Sequence, residues 1–257
     1  MSMATNVVAF RTILTKELLR FSRIWVQTIF PPVVTMALYL MIFGKLIGER
    51  IGPVHGVPYQ QYLIPGVVLM AVITNSYANV VSSFYSAKFH RNIEEMLISP
   101  IPNWVILSGY IAGGIGRGLA VGLAVGLASL FFAPIALTHI GTAILVLVLT
   151  SALFSLAGFI NAIFAKSFDD ISIIPTFVLT PLTYLGGIFY SIDMLPPFWH
   201  GVSLFNPILY MINAFRYGVL GVADISLNLA FSIILAFIAV LYLVALTLLN
   251  RGVGIKH

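Results

Sequence analysis

No cysteine occurs anywhere in the 257 residues. Disulfides, thiol catalysis and Cys-based metal sites are therefore excluded. Charge is almost as scarce: 8% of residues are charged and 60% are hydrophobic, whereas a soluble domain carries about 25% charged residues. That is too little polar material to coat a soluble core, so a single membrane domain is expected to occupy residues 1–257. Acidic side chains are missing altogether from residues 24–44, 60–87, 105–132, 140–165, 171–192 and 228–249. Ion-coupled carriers usually place ionisable relays in their spans, and these runs hold only Arg117.

Catalytic and nucleotide motifs are absent as well. Gly44-Lys45 is followed by Leu46 and lacks the earlier glycine of G-x-x-x-x-G-K-[ST], so the chain cannot cradle ATP phosphates by that device. His55, His90, His139, His200 and His257 are scattered, with no i, i+4 ligand pair, and no metal site is expected. No nucleophile and base are paired at membrane depth, so no catalytic residue is expected. Asp169-Asp170 reads as a solvated turn or helix cap.

What the chain does have is six apolar runs near the roughly 20 residues that cross a bilayer as a helix. The expected fold is all-α, with six transmembrane helices and an interfacial helix before them. The first run is long and lacks a small-residue cleavage site, so it reads as a retained span. The net charge is +5, but the cations lie beside the spans. Placement by the positive-inside rule and anionic lipid explains this more simply than nucleic acid. With both termini cytoplasmic, nine cations lie inside: Arg11, Lys16, Arg20, Arg23, Lys88, Arg91, Lys166, Arg251 and Lys256. Three lie outside: Lys45, Arg50 and Arg216.

Residues 5–23 form a separate element. On a helical wheel Val7, Phe10, Leu14, Leu18 and Phe21 share one sector, and Lys16, Arg20 and Arg23 lie opposite. Such a helix lies in the membrane plane with its cations toward the headgroups; packing on the domain is the plainer alternative. Pro31-Pro32, Pro175 and Pro181 predict kinks in spans one and five. Gly114, Gly118, Gly122 and Gly126 recur every fourth residue in span three, beside a second ladder of Gly116, Ala120, Ala124 and Ala128. Either ladder suits close helix packing, within one copy or between two. Arg117 lies within that span without an acid at its depth. It fits either a structural bond to freed carbonyls or an anion-attracting position on a substrate path.

Two segments outside the spans carry the most information. Residues 88–102 join spans two and three, with Lys88, Arg91, Glu94 and Glu95 ahead of Met96, Leu97 and Ile98, and Pro100 and Pro102 beyond. This composition predicts a short amphipathic helix suited to a groove on a partner. Residues 184–221 are apolar and aromatic but broken by Gly186-Gly187, Pro196-Pro197 and Pro207. They predict a span that breaks near the outer face, followed by two short re-entrant helices over 188–221.

Three stretches make the chain recognisable. One runs from Pro181 through Gly186-Gly187 and Phe189-Tyr190 to Leu195-Pro196-Pro197. The second is N-P-x-x-Y-x(5)-R from Asn206 to Arg216, and the third is R-N-I-E-E-x-L from Arg91 to Leu97. Together with the order of elements, they resemble the membrane subunit of ABC-2 type (type V) ABC exporters.

The resemblance implies a bacterial inner-membrane half-transporter that pairs with a second copy of itself. Each copy would bind a separate cytoplasmic ATPase, which carries the ATP and Mg; this chain binds no cofactor. Arg91, Asn92, Ile93, Glu94, Glu95, Met96 and Leu97 would match the coupling helix. The N-terminal helix, with Arg11, Lys16, Glu17, Arg20 and Arg23, would lie beside the ATPase. The path would run between copies along spans one, two and five. Tyr39, Tyr62, Tyr77, Arg117, Phe177 and Tyr184 are candidates to line it, though the aromatics also suit an ordinary core. Gly186, Gly187, Pro196, Pro197, Asn206, Pro207 and Arg216 would form the outer gate. An ATPase-independent carrier or channel is the alternative.

Overall fold

The computed structural model describes residues 3–254. Among them the regular structure is helical, apart from one isolated bridge between Val54 and Val57. Helix α1 is Met3–Arg23 and α2 is Trp25–Ile51. Helix α3 is Tyr59–Phe89, α4 Asn92–Ile98, α5 Asn103–Ser129 and α6 Ile140–Phe164. A shorter helix, α7, covers 170–184. It is followed by α8, Pro197–Leu204, α9, Pro207–Leu220, and α10, Leu227–Arg251.

Five of these helices, α2, α3, α5, α6 and α10, are long and apolar enough to cross a membrane. The sixth apolar run behaves differently. Its helix stops at Tyr184, because Gly187 adopts a left-handed φ of 78° just beyond, a conformation that suits glycine. The first run gives a longer helix than its apolar stretch suggests, because π-turns over Leu40–Ile47 carry it on to Ile51.

Helix α3 is the axis. It is buried along most of its length and packs against α6, α5, α9 and α2. Helices α2 and α10 lie outside, with exposed apolar faces such as Phe30, Leu38 and Met41 or Leu235, Val240 and Leu243. The glycine ladder of α5 is the reason that helices approach so closely. A Cβ on Gly114 would meet Ser155 and Val80, one on Gly118 would meet Ser76 and Ser151, and one on Gly122 would meet Val72. Those neighbours belong to α3 and α6, so this face is a seam within one copy. Gly116 of the second ladder faces Leu18 and Phe21 of α1.

Loop contacts define two ends of the bundle. At one, Lys88 Nζ donates to the carbonyls of Ile163 and Ala165 at 2.6 and 2.8 Å, where the backbone of Gly254 also closes on Ile163. A cation on the last carbonyls of a helix offsets their partial negative charge. At the other end, the N–H groups of Thr138 and His139 donate to Val219 and Gly218, and His55, Ser191 and Asp224 meet.

Candidate functional site

Helix α4 leaves α3 through a tight turn in which Arg91 is left-handed, with φ 61°. Ile93, 1% exposed, is its anchor in the core. Arg91, Asn92, Glu94 and Glu95 point outward, and Ile98 is 84% exposed. Met96 and Leu97 pack against the core at the base. The hydroxyl of the buried Tyr110 lies 4.0 Å from Met96 Sδ, and Lys16 Nζ of α1 stands 5.6 Å from the ring centroid of the same Tyr110. Beside the turn, Phe168 packs edge-on to Tyr85 at 4.8 Å and against Phe89 at 5.2 Å. Through these rings the end of α3 touches the segment that leads into α7. There Asp170 accepts from the N–H groups of Lys166 and Ser167, and Ser167 Oγ accepts from that of Asp170, so this aspartate shapes the turn into the helix.

Helix α1 is tied down by charge as well as by apolar contact. Ile13 covers Gly109, and the fully buried Glu17 covers Gly113. Glu17 Oε1 accepts from Ser83 Oγ at 2.5 Å. Its Oε2 faces the Arg20 guanidinium at 3.3 Å, and Arg20 donates onward to the carbonyl and side-chain oxygens of Asn79 at 2.7 and 2.8 Å. The wheel places Arg20 among the headgroup-facing cations; its guanidinium instead turns inward to α3. Arg11, Lys16 and Arg23 remain exposed.

The six candidate path residues do not form one lining. Tyr39 and Tyr184 meet through their hydroxyls at 2.7 Å. Tyr77 and Tyr184 share a cavity of about 330 Å³ between α3 and α7, with Met70, Thr74 and Thr183. A second cavity of about 280 Å³ lies on the other flank of Met70 and Thr74, against Gln27, Pro31, Pro32 and Thr35 of α2. Phe177 is 73% exposed on the free face of α7. Arg117 donates to Asn75 Oδ1, a side-chain amide of α3, at 3.1 Å. Tyr62 is wholly buried and belongs to the opposite end.

At that end the gate candidates divide. Gly186 packs against Ile208 and Ile212, where a Cβ would not fit. Asn206 caps α9 by accepting from the Ile208 N–H at 3.0 Å, and it donates to the Leu182 carbonyl at 2.5 Å. Pro207 then opens the helix, where its missing N–H costs nothing. Arg216, 2% exposed, donates to the Gly187 carbonyl at 2.7 Å, lies 3.8 Å from the centroid of the Tyr62 ring, and faces Asp224 Oδ2 at 3.9 Å. Pro196 and Pro197 stay outside this knot and start the exposed α8.

Sequence reasoning missed Asn213, Asp224, Ser191 and His55. Asn213 Oδ1 accepts from the Asp224 N–H at 2.7 Å, and its amide donates to the Ile225 carbonyl at 2.8 Å. No local spacing signals these contacts, since each closes a turn or bridges separate segments.

Five long apolar helices thus pack around a core that buries polar side chains such as Ser76 and Asn79, and a charged helix is exposed at one end. The chain matches the model of the ABC-2 type transporter family over residues 8–220, and it belongs to that family. It is 57% identical over 249 residues, 97% of each chain, to the inner membrane transport permease YadH of Escherichia coli (strain K12). It is 25% identical over 218 residues, 83% of each chain, to nodulation protein J of Rhizobium leguminosarum bv. viciae.

Proposed function

We propose that the chain is the permease half of an ATP-driven exporter. It works as a pair of copies in the bacterial inner membrane, with both termini cytoplasmic. A separate ATPase supplies the energy and holds the ATP and Mg. The observation that carries this reading is α4, a short helix locked to the core through Ile93 while Glu94, Glu95 and Ile98 are left exposed. Its direct continuity with α3, the most buried long helix, gives a displaced α4 a lever on the bundle. The Tyr85–Phe168–Phe89 contacts extend that lever to α7.

A sixth crossing by α7 belongs to this reading. The placement of Ile163 at one end of the bundle and Ser191 at the other supports it. Helix 170–184 covers about 22 Å of that distance at 1.5 Å per residue. The re-entrant pieces are then α8 and α9. The free faces of α2 and α7 would meet the second copy. The two cavities beside Met70 and Thr74 would border the path of an amphipathic, lipid-like, glycan or drug-like substrate.

The test is gentle purification of the tagged permease from its host with identification of co-eluting chains, followed by the double substitution Glu94→Lys, Glu95→Lys. A stoichiometric ATPase that co-purifies, and ATP hydrolysis that no longer drives transport in the variant, are expected. A stable permease that recovers no ATPase in several detergents favours the ATPase-independent carrier or channel.

A further inference from the structure

Three segments far apart in sequence meet at the end of the bundle opposite Lys88 and Gly254. They are the loop between α2 and α3 with His55, the 3-10 turn Ile192–Met194 with Asp193, and the loop between α9 and α10 with Asp224. One ligand atom from each of His55, Asp193 and Asp224 lies within 4.8 Å of the other two. We propose that these three side chains bind a first-row divalent cation, with zinc preferred, and that the ion fastens the three loops together.

The spacing suits such an ion. Bonds of about 2.0–2.1 Å in a tetrahedral arrangement place ligand atoms about 3.3 Å apart. His55 Nε2 and Asp224 Oδ1 are 3.0 Å apart. Asp193 is exposed and its carboxylate lies within 4.8 Å of the other two ligand atoms, so closing on an ion asks of it a shift of about 1.5 Å or less.

Asp224 supplies the independent sign. Its side chain is only 3% exposed. One oxygen, Oδ2, is fully engaged: it accepts from Ser191 Oγ at 3.0 Å and the Ile192 N–H at 3.4 Å, and it faces Arg216. The other oxygen, Oδ1, is buried and receives no hydrogen bond, yet it points at the His55 ring. Apart from the exposed His55 ring no group reaches it, and a buried carboxylate oxygen so weakly satisfied is costly. Coordination satisfies it, and Ser191, Ile192 and Arg216 then act as the outer contacts that orient a one-oxygen ligand.

Charge and donor type agree. Two carboxylates against the single Arg216 guanidinium leave excess negative charge beside the His55 imidazole. One nitrogen and two oxygens, with an exposed side for water, suit zinc better than calcium or magnesium, which favour all-oxygen shells. Ser191 Oγ also lies 3.2 Å from His55 Nε2, so in the metal-bound form that hydroxyl serves Asp224 alone. The site does not depend on the ATPase reading, because its ligands are at the other end of the bundle.

The test is a titration of tag-free, chelator-treated permease with Co²⁺, read by visible absorption, and then with Zn²⁺ as competitor. Expected are four- or five-coordinate Co²⁺ bands at one ion per copy, displaced by Zn²⁺ and lost in His55→Ala. Asp193→Asn, at an exposed position, should weaken binding about tenfold or more, as should the outer-contact variant Ser191→Ala. Each variant is checked for a single symmetric elution peak. Absence of bands overturns the proposal and leaves a plain contact between His55 and Asp224. Bands that persist unchanged in both His55→Ala and Asp193→Asn also overturn it, placing the ion at another histidine.

Discussion

The hydroxyls of Tyr39 and Tyr184 lie 2.7 Å apart and join α2 to α7. Phe189 nests beside both rings, 5.3 Å from Tyr39 and 5.8 Å from Tyr184, and its carbonyl accepts from the Tyr59 hydroxyl at 2.7 Å. Two of the helices that present free faces, α2 and α7, are thus latched to one another within a single copy. Any widening between them breaks this bond first.

Replacing Tyr39 or Tyr184 with Phe removes the bond and keeps the rings. Each single substitution should cost about 1 kcal/mol, and the double substitution no more than either alone. A double-mutant cycle by thermal unfolding measures this. Additive losses would show that the two hydroxyls act separately.

Arg216→Met should be the most damaging conservative-volume change, costing about 3–5 kcal/mol, because it leaves the buried Asp224 carboxylate without its cation. Arg216→Lys keeps the charge but loses the planar stacking over Tyr62, and should lie between. Thermal stability of the purified variants ranks the three, and a harmless Arg216→Met would refute the pairing.

Glu17→Ala removes the acceptor of both Ser83 and Arg20. A loss of about 1–3 kcal/mol is expected from those unpaired groups. The readout is protease sensitivity: α1 should be released and clipped well before the bundle unfolds. Unchanged protection of α1 would mean that apolar packing at Ile13 alone holds it.

The two ends of the glycine ladder should respond differently. Gly118→Val forces a branched side chain against Ser76 and Ser151, and should cost about 1–3 kcal/mol. Gly126→Val meets nothing within 4 Å and should be nearly neutral. Thermal unfolding together with the mass of the purified particle separates these outcomes. Greater damage at Gly126, with loss of paired copies, would make this stretch the contact between them.

The long helices were legible because a bilayer leaves few options: an apolar run of sufficient length must bond its own backbone. The short helix after α3 was legible for a similar reason, since Glu94 and Glu95 ahead of Met96-Leu97, closed by Pro100, form an amphipathic turn. The orientation of Arg20 was not. A helical wheel ranks positions by hydropathy, and it cannot foresee that Asn79 and Ser83 on another helix make a polar seat for Glu17 and Arg20. The end of α7 was half visible. Gly186-Gly187 marked a break, but the π-turn at Pro175–Leu179, where the Thr180 N–H reaches back to the Pro175 carbonyl, has no sequence sign beyond its prolines. His55 and Asp224 were out of reach altogether. They are solitary residues in separate loops, and only the closed bundle makes them neighbours.

The pairing of Arg216 with Asp224 also bears on the order of assembly. Both residues come from one short stretch of chain, α9 and the loop after it, so the buried guanidinium finds its counter-charge without help from outside its own subunit. A newly made copy can bury Arg216 before it ever encounters another. In the proposed pair of copies, association would then be a later and separate event, since no unpaired charge at this position demands it.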